Sequence, residues 1–351
     1  MKGKGIISRF AVSSVTVMFL WLLGMVQAQA VTVAPLPLEL ANGSKPNVIL
    51  TFDDSGSMRR AYIPDDMNCS TAGNSDCGRD LKRGCSGSFN PVAYNPAIDY
   101  MPPLNASGVP MGNSTFTSAW TNGFNRTAQP TVNLSADFRP AWIMNGTSGN
   151  SASTSIVTYT DCGTGDDSGM AAYYMKYDPA GTSCSPAATS NDACYTNTTV
   201  STTSGASRFR LNLAGVGTCP DPAVLSNAAC TSQDEGINFA NWYSYYRTRM
   251  LLAKSAAGTA FAKLDDDSIR IAYQRLNTCN GGLGVADAGA CDGNYLKLFS
   301  STARTNFFTW LYNSGANDST PLRDATRRAG DHIGQTGLYS PFSQSPGNSA
   351  N

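Results

Sequence analysis

Three side chains that could hold a metal ion follow directly after an apolar run of the chain. They are Asp53, Ser55 and Ser57, spaced as D-x-S-x-S after residues 47–52. A continuous apolar run is typical of a strand buried on both faces of a parallel sheet, and ligand sites in open α/β sheets lie just beyond such strands. One carboxylate and two hydroxyls on a glycine-containing turn suit a hard divalent cation. The sequence therefore predicts a site for Mg²⁺, or for Mn²⁺ or Ca²⁺; an ordinary polar turn is the alternative.

The same spacing resembles the metal-ion-dependent adhesion site (MIDAS) of von Willebrand factor A domains. In that fold, a threonine from a second loop also serves the metal, at the start of a helix. Residues 318–323 fit this place and offer Thr320, although the pair of glycines common there is absent and only Gly315 is near. The alternative is that Thr320 merely caps the helix that is predicted to begin at Pro321.

The elements that would position these loops are predicted from hydrophobic periodicity. Apolar residues recur at three- and four-residue steps from Phe239 to Leu264, which predicts one helix of about 25 residues with Asn238 as its N-cap. This stripe is interpreted as a core-facing side rather than an aromatic ligand cage. Alternation over residues 269–276 predicts a strand with one buried face. The remaining predicted elements are a short strand and two short helices, at 295–299, 303–313 and 321–333.

A long cysteine-rich region, residues 59–235, separates the first strand from these elements. Its apolar spots are short, which predicts an insertion of short strands and loops with disulfides between them, rather than a strongly packed domain. Without it, the element order is that of the first half of a doubly wound sheet. The predicted fold class is α/β: a partial von Willebrand factor A-like (Rossmann-like) doubly wound sheet with a large cysteine-rich, partly β insertion. The other predicted parts are residues 31–58 with the first strand and metal loop, 236–340 as the remainder of the truncated A-like domain, and 341–351 as a flexible tail.

Residues 1–30 have the pattern of a secretory signal peptide, with a basic start, an apolar stretch and the cleavage sequence Ala28-Gln29-Ala30. A retained membrane anchor is the weaker alternative, because the apolar stretch is short and interrupted by two serines. All ten cysteines lie after this segment, which predicts up to five disulfides formed in an oxidising compartment. Their connectivity is left open, except that Cys279 and Cys291 are expected to pair across a Gly/Ala-rich loop.

The overall composition argues against several functional classes. The chain has 25 basic and 25 acidic residues and no basic stripe, so nucleic acid is not an expected partner. It has a single histidine, His332, which leaves little material for a zinc site or a Ser-His-Asp triad. His332 is interpreted as a cation tolerated near the end of a helix. Charged residues make up only 14% of the chain, which fits an exported protein.

Several distinctive segments occur besides the metal loop. They are Pro46–Met58, Tyr94-Asn95-Pro96 with Tyr100 and Pro102-Pro103, Asn238–Met250 (NFANWYSYYRTRM) and Thr320–Arg323. Together with the signal peptide, they resemble the N-terminal region of the PilY/PilC family of type IV pilus assembly and tip-adhesin proteins. The Asn-Phe-Ala-Asn-Trp-Tyr run is the most specific of them, and the resemblance covers most of residues 31–340.

The sequence departs from this family after residue 333. Family members continue through a third metal-site loop, on a strand that ends in Thr-Asp-Gly, and then into a large C-terminal β-propeller. The short Gly-, Ser- and Pro-rich tail here contains neither. The resemblance therefore implies a weakly bound metal, because the third ligand loop is missing. It also implies a truncated or split gene product.

The function implied by the resemblance is that of a non-enzymatic protein of type IV pilus biogenesis, adhesion or surface sensing, located in the periplasm, at the outer surface or at the pilus tip. Expected partners are pilus subunits or minor pilins, host or abiotic surface ligands, and a downstream fragment of the same protein. One alternative is a secreted metal-dependent hydrolase or phosphotransfer enzyme that uses Asp53, Asp54 and Ser55. However, no nucleophile-elbow pattern surrounds Ser55. Another alternative is a truncated product without a function of its own.

Overall fold

The computed structural model of the chain describes residues 45–63, 82–127, 130–144, 156–160, 162–163, 168–185, 187, 191–200, 207–208, 233–277, 296–316, 319–336 and 340. All of these except Lys45 lie in one unit, Pro46–Asn351. The predicted signal peptide, the predicted tail at 341–351 and the expected Cys279–Cys291 disulfide lie outside the described residues. In the described part of the chain, no helix is long and apolar enough to cross a membrane.

The described helices and strands form a mixed α/β structure. In chain order they are β1 Asn47–Phe52, β2 Ala119–Trp120, β3 Thr131–Val132, β4 Ala141–Met144, β5 Ile156–Tyr159, β6 Tyr173–Tyr177, β7 Tyr195–Thr199, β8 Ser207–Arg208, β9 Gln233–Asp234, α1 Glu235–Tyr245, α2 Arg249–Ala262, β10 Arg270–Arg275, β11 Lys297–Leu298, α3 Ser301–Asn313 and α4 Leu322–Ile333.

The largest sheet has three strands in the order β1-β10-β11. β1 runs parallel to β10, with Asn47 opposite Arg270 and Phe52 opposite Arg275, and β11 is antiparallel to β10. The strand predicted over residues 269–276 is therefore confirmed as β10, the parallel neighbour of β1. The expectation that β1 is buried on both faces is wrong for the described residues: only Phe52 is buried, and the other side chains are half-buried or exposed. The reason is that, among the described strands, β1 pairs on one side only.

The predicted long helix is two helices. α1 ends at Tyr245 and α2 begins at Arg249, where the Thr248 side chain caps the second helix by accepting a hydrogen bond from the Leu251 N–H at 3.2 Å. A capping hydroxyl satisfies one of the free N–H groups of a helix start, so it favours a new beginning here. Asn238 is not an N-cap. It lies inside α1 and is fully buried.

Two large hydrophobic cores, and two small clusters, hold the described residues together. The tyrosine-rich core joins α1 to the cysteine-rich region and consists of Tyr94, Tyr100, Ala119, Leu134, Phe138, Cys162, Ala172, Tyr173, Tyr174, Met175, Cys184, Cys194, Tyr195, Val200, Phe239, Ala240, Trp242 and Tyr243. The phenylalanine-rich core lies between the sheet and helices α2 and α3 and consists of Phe52, Leu104, Phe124, Tyr245, Met250, Leu251, Ala262, Ile269, Ile271, Phe299, Phe307, Phe308, Leu311, Tyr312 and Ala316.

The cysteine-rich region is thus better packed than its sequence indicates. The prediction that it lacks a strongly packed core is wrong, because its scattered aromatic residues converge on the buried face of α1. The prediction of short strands with disulfides between them is confirmed by four two-stranded sheets and by the Cys85–Cys162 and Cys184–Cys194 disulfides. The stripe on α1 faces this core, as expected.

Candidate metal centre

The D-x-S-x-S turn begins where β1 ends. The Asp53 carboxylate accepts a hydrogen bond from the Ser55 N–H at 2.8 Å, which fixes the carboxylate across the turn. A single 3₁₀ turn, Gly56–Arg59, follows and is closed by the Met58 N–H bonded to the Ser55 carbonyl at 3.0 Å. The chain therefore curls back on itself directly after the strand.

This curl brings the three predicted ligands of the first loop together. The Ser55 and Ser57 hydroxyl oxygens lie 3.0 Å apart. Ser55 is fully buried, while Asp53 and Ser57 are half-buried. The site is therefore anchored on its inner side and reachable by solvent on its outer side, as a site that takes up an ion must be.

Asn277, which sequence reasoning missed, connects this turn to the second loop. It follows the carboxyl end of β10, and its side-chain amide donates to Asp54 Oδ1 at 2.8 Å and to the Ser319 carbonyl at 2.7 Å. Its own backbone N–H also donates to Asp54 Oδ1, at 3.1 Å. Asp54 is completely buried, so these bonds hold the two loops side by side. A polar residue directly after the strand next to β1 was the available signal.

Thr320, the predicted ligand of the second loop, lies next to Ser319 in this bridged loop. It is exposed, and it does not cap α4, because Pro321 occupies the N-cap position. The Thr320 carbonyl accepts a hydrogen bond from the Leu322 N–H at 2.9 Å. Thr320 therefore contributes to the start of the helix through its backbone carbonyl. The alternative reading of Thr320 as an N-cap is therefore wrong, and its hydroxyl makes no bond to the helix start.

Helix α4 holds the second loop in place through polar contacts. Arg328 donates to the Leu276 carbonyl at 2.9 Å and to Gln274 Oε1 at 3.0 Å. The Gln274 amide in turn donates to the Thr51 hydroxyl at 2.9 Å and to the Ala325 carbonyl at 2.8 Å. One buried network therefore joins β1, β10 and α4 directly beneath the two loops. Burial lowers the pKa of Arg328, and the nearby Asp324 and Asp54 act against that shift.

His332 lies near the end of a helix, as predicted, but not as the cation that the sequence suggested. It is fully buried, with Nδ1 3.1 Å from Gln335 Oε1. Burial lowers its pKa, a hydrogen bond with Gln335 raises it, and the charge of Arg270 lowers it further. His332 is therefore held neutral near pH 7, because removing an imidazolium from water is unfavourable.

The donor set fits a hard divalent cation. Within the described ranges, no group of three or more His, Cys, Asp or Glu side chains is placed to hold a metal ion. The candidate set contains one carboxylate, from Asp53, and hydroxyls from Ser55, Ser57 and Thr320. Oxygen ligands with a single negative charge suit Mg²⁺ at modest affinity, since affinity rises with the number of charged ligands.

Comparison with known proteins found three similar relatives, all called "Type IV pilus biogenesis factor PilY1" and all from Pseudomonas aeruginosa. The chain is 34% identical to that of strain PAK and 35% identical to that of strain PAO1, over 91% of its length in both cases, and 33% identical to that of strain UCBPP-PA14 over 88%. It spans 22–23% of the length of these relatives. No family model matches the chain, and no solved structure is significantly similar to it.

Proposed function

We propose that this relative of the type IV pilus biogenesis factors takes part in pilus assembly and in adhesion through a divalent-metal site. The similarity to PilY1 over about nine tenths of the chain confirms the resemblance to the PilY/PilC family that the motifs indicated. It also supports pilus-related partners, for which we propose pilus subunits or minor pilins and surface ligands. We place the protein in the periplasm, at the outer surface or at the pilus tip, because the first thirty residues have the pattern of a signal peptide.

The observation that carries the metal site is the bridge that Asn277 makes between Asp54 and Ser319. It supports the proposal because it links the D-x-S-x-S turn to the loop that contains Thr320, and a von Willebrand factor A-like site needs these two loops together. A bound Mg²⁺ would supply a positive charge with open coordination positions. Asp53 would neutralise part of that charge, and the hydroxyls of Ser55, Ser57 and Thr320 would contribute neutral oxygens. A carboxylate on the partner would complete the shell.

Calorimetry with Mg²⁺ and Mn²⁺ on the mature, oxidised chain tests the site. We expect weak binding that is lost in Asp53→Ala. Asp178→Ala is the matched control, because Asp178 also accepts a bond from the N–H two residues further on, that of Ala180 at 3.1 Å, but has no serine pair beside it. Tight binding, or equal binding in both variants, would contradict the proposed ligand set.

Pilus assembly is tested by complementation. A strain that lacks this gene is supplied with the wild type, with Asp53→Ala or with Asp178→Ala, and surface pili and attachment are counted. We expect the wild type and the control to restore both, and Asp53→Ala to restore attachment poorly. If wild-type protein accumulates but restores neither, the chain has no independent function in this process.

The alternative of a secreted metal-dependent hydrolase or phosphotransfer enzyme has less support. The only histidine of the chain is a buried residue of α4 that is bonded to Gln335, and the Ser55 hydroxyl is paired with that of Ser57. A serine nucleophile needs a base within hydrogen-bond reach. Generic phosphatase and esterase substrates, assayed with and without Mg²⁺, separate the two classes: turnover that Ser55→Ala abolishes would favour the enzyme.

A further inference from the structure

A partly open cavity lies in the tyrosine-rich core, and the disulfide-bonded Cys85 and Cys162 are among its lining residues. The volume available to the centres of water-sized molecules is about 40 Å³, and the lining residues include Tyr94, Trp142 and Trp242. A single water needs about 10–15 Å³ on this measure, so the space equals a few waters or one small ion. The cavity is distinct from the candidate metal centre, since none of the described residues of the two loops lines it.

Among the described residues that line this cavity, Arg247 has no acidic partner. Arg139 and Arg247 both line it, and no Asp or Glu is among the described lining residues. Arg247 is only 2% exposed. Its guanidinium donates to the carbonyls of Tyr243 and Thr121, the latter at 2.7 Å, while its Nε has no hydrogen-bond partner in the described part of the chain. A buried charge without a counter-ion is costly, because no water stabilises it.

The phenol beneath Arg247 does not act as that counter-ion. The guanidinium lies 4.0 Å from the centre of the Tyr243 ring. Burial raises the pKa of Tyr243, and the charge of Arg247 opposes that shift. The phenol is therefore neutral at physiological pH, and its ring offers the cation a polarisable face rather than a negative charge.

A second unused donor lines the same cavity. Trp142 is 2% exposed, and its indole N–H has no hydrogen-bond partner among the described residues. Arg304, another buried arginine with several carbonyl partners, differs because an acidic side chain lies beside it. Its guanidinium donates to the carbonyls of Ala106, Leu264 and Ala262, and it lies 3.4 Å from Asp266 Oδ1. Arg304 thus has an acidic neighbour, whereas Arg247 has none among the residues that the structure describes.

We propose that this cavity binds a small monovalent anion, nitrate-like or a carboxylate no larger than acetate, between the Arg247 guanidinium and the Trp142 indole N–H. The guanidinium supplies charge and a planar set of donors that matches a planar oxyanion. The indole N–H supplies a neutral donor. The ion removes the unfavourable isolation of the buried charge and so stabilises the fold of the cysteine-rich region.

Thermal unfolding of the oxidised chain tests this proposal. The melting temperature is followed against increasing sodium nitrate or sodium acetate, with sodium gluconate at equal ionic strength as the anion that is too large to enter. We expect a saturable rise with nitrate over gluconate, because a ligand that binds only the folded state stabilises it. The acetate series shows whether a carboxylate serves as well as an inorganic ion. Identical curves in all three salts would mean that the cavity holds only water and would overturn the proposal.

Three variants test whether the nitrate effect arises in this cavity. Arg247→Met should weaken the apparent nitrate affinity about tenfold or more, since it removes a charge-assisted bond. Trp142→Phe keeps the ring stacked on Tyr62 and should weaken it several-fold. Arg304→Met is the matched control and should keep the wild-type affinity, whatever its own stability. An unchanged response in Arg247→Met would place the site elsewhere.

A measurement on the wild type covers the case in which Arg247→Met does not fold. Crystals soaked in sodium bromide should show an anomalous peak in the cavity within hydrogen-bond distance of the Arg247 guanidinium. A cavity without bromide, in crystals that bind bromide at other places, would overturn the proposal.

Discussion

The tyrosine-rich core and the phenylalanine-rich core are built on different principles. The first contains six tyrosines and two phenylalanines, and the second contains five phenylalanines and two tyrosines. Around the first, the strands are short and paired two by two, while the second lies between a three-stranded sheet and helices. Where ladders are short, other groups must satisfy the buried backbone.

Buried side chains of α1 serve that purpose in the tyrosine-rich core. Asn238 accepts a hydrogen bond from the Tyr100 N–H at 2.7 Å and donates to the Ile98 carbonyl and the Tyr94 hydroxyl, both at 3.0 Å. The Trp242 indole donates to the Val92 carbonyl at 2.9 Å. Irregular segments are thus fixed by amides and aromatic donors from one helix. A core of this kind depends on specific bonds, whereas the phenylalanine-rich core depends on burial.

The largest expected effect concerns the long disulfide of the tyrosine-rich core. Cys85 and Cys162 are 77 residues apart, so replacing both by serine releases a long loop and should lower the free energy of unfolding by about 4 kcal/mol. The Cys184–Cys194 bridge has a separation of 10, and its double serine variant should lose only about 2–3 kcal/mol. Urea unfolding of both variants gives the comparison. A larger loss for the short bridge would contradict the role of loop closure.

The next effect concerns Lys254, a charge buried in the phenylalanine-rich core. It is 2% exposed, and its ammonium donates to the Tyr312 carbonyl at 2.8 Å. Burial, and secondarily the charge of Arg275, lower its pKa to about 7. Between this value and the unfolded pKa near 10.4, the unfolded chain binds the extra proton. The free energy of unfolding should therefore rise with pH over this window, by roughly 2–4 kcal/mol.

Lys254→Met should remove that rise and stabilise the chain at pH 6–7, since a methionine of similar length needs no solvation. Urea unfolding at pH 6.5, 8 and 9.5 measures the slope. Lys176→Met is the control, because Lys176 is exposed on β6. The window ends near pH 10, where buried tyrosines such as Tyr246, with a pKa raised by burial to about 12, begin to favour the unfolded state. A wild-type slope that survives in Lys254→Met would show that another group causes it.

Asn238→Ala should have a smaller effect on the tyrosine-rich core. It leaves the buried Tyr100 N–H without its partner and also removes the bonds to the Ile98 carbonyl and the Tyr94 hydroxyl, which should lower the free energy of unfolding by roughly 2–3 kcal/mol. Asn197→Ala, at an exposed position of β7, is the control and should stay within about 0.5 kcal/mol of the wild type. If the two variants were equally stable, the core would not depend on specific bonds.

Asn277→Ala should have the smallest effect on stability, about 1 kcal/mol, because Asn277 is half-buried and water can replace part of its bonds. Its effect on the metal site should be clearer. Without the bridge from Asp54 to Ser319, the two loops are less well ordered, and calorimetry should show several-fold weaker Mg²⁺ binding. Unchanged binding would mean that Thr320 is not a ligand or that α4 alone positions its loop.

Much of the phenylalanine-rich part was predictable from periodicity. The first strand, its parallel neighbour at 269–276 and the helices at 303–313 and 321–333 match β1, β10, α3 and α4 within a few residues. The break between α1 and α2 could not be predicted in this way, because the apolar stripe continues through it and only the Thr248 cap marks it. For the metal site, the D-x-S-x-S turn could be recognised as a local motif. The contribution of Asn277 could not, because Asn277 lies 223 residues from Asp54 in the chain.

By itself, the sequence determined the local features of this protein: the strand that ends in Asp53, Ser55 and Ser57, the family resemblance carried by the Asn-Phe-Ala-Asn-Trp-Tyr run, and the presence of disulfides. Only the tertiary structure decided that scattered tyrosines form a core, that Arg247 is buried without an acidic partner among the described residues, and that Asn277 joins the two loops. The physical reason is the distance along the chain over which each kind of interaction acts. Turns, caps and hydrophobic periodicity act between residues a few positions apart, while burial and buried hydrogen bonds depend on segments that are distant in the chain.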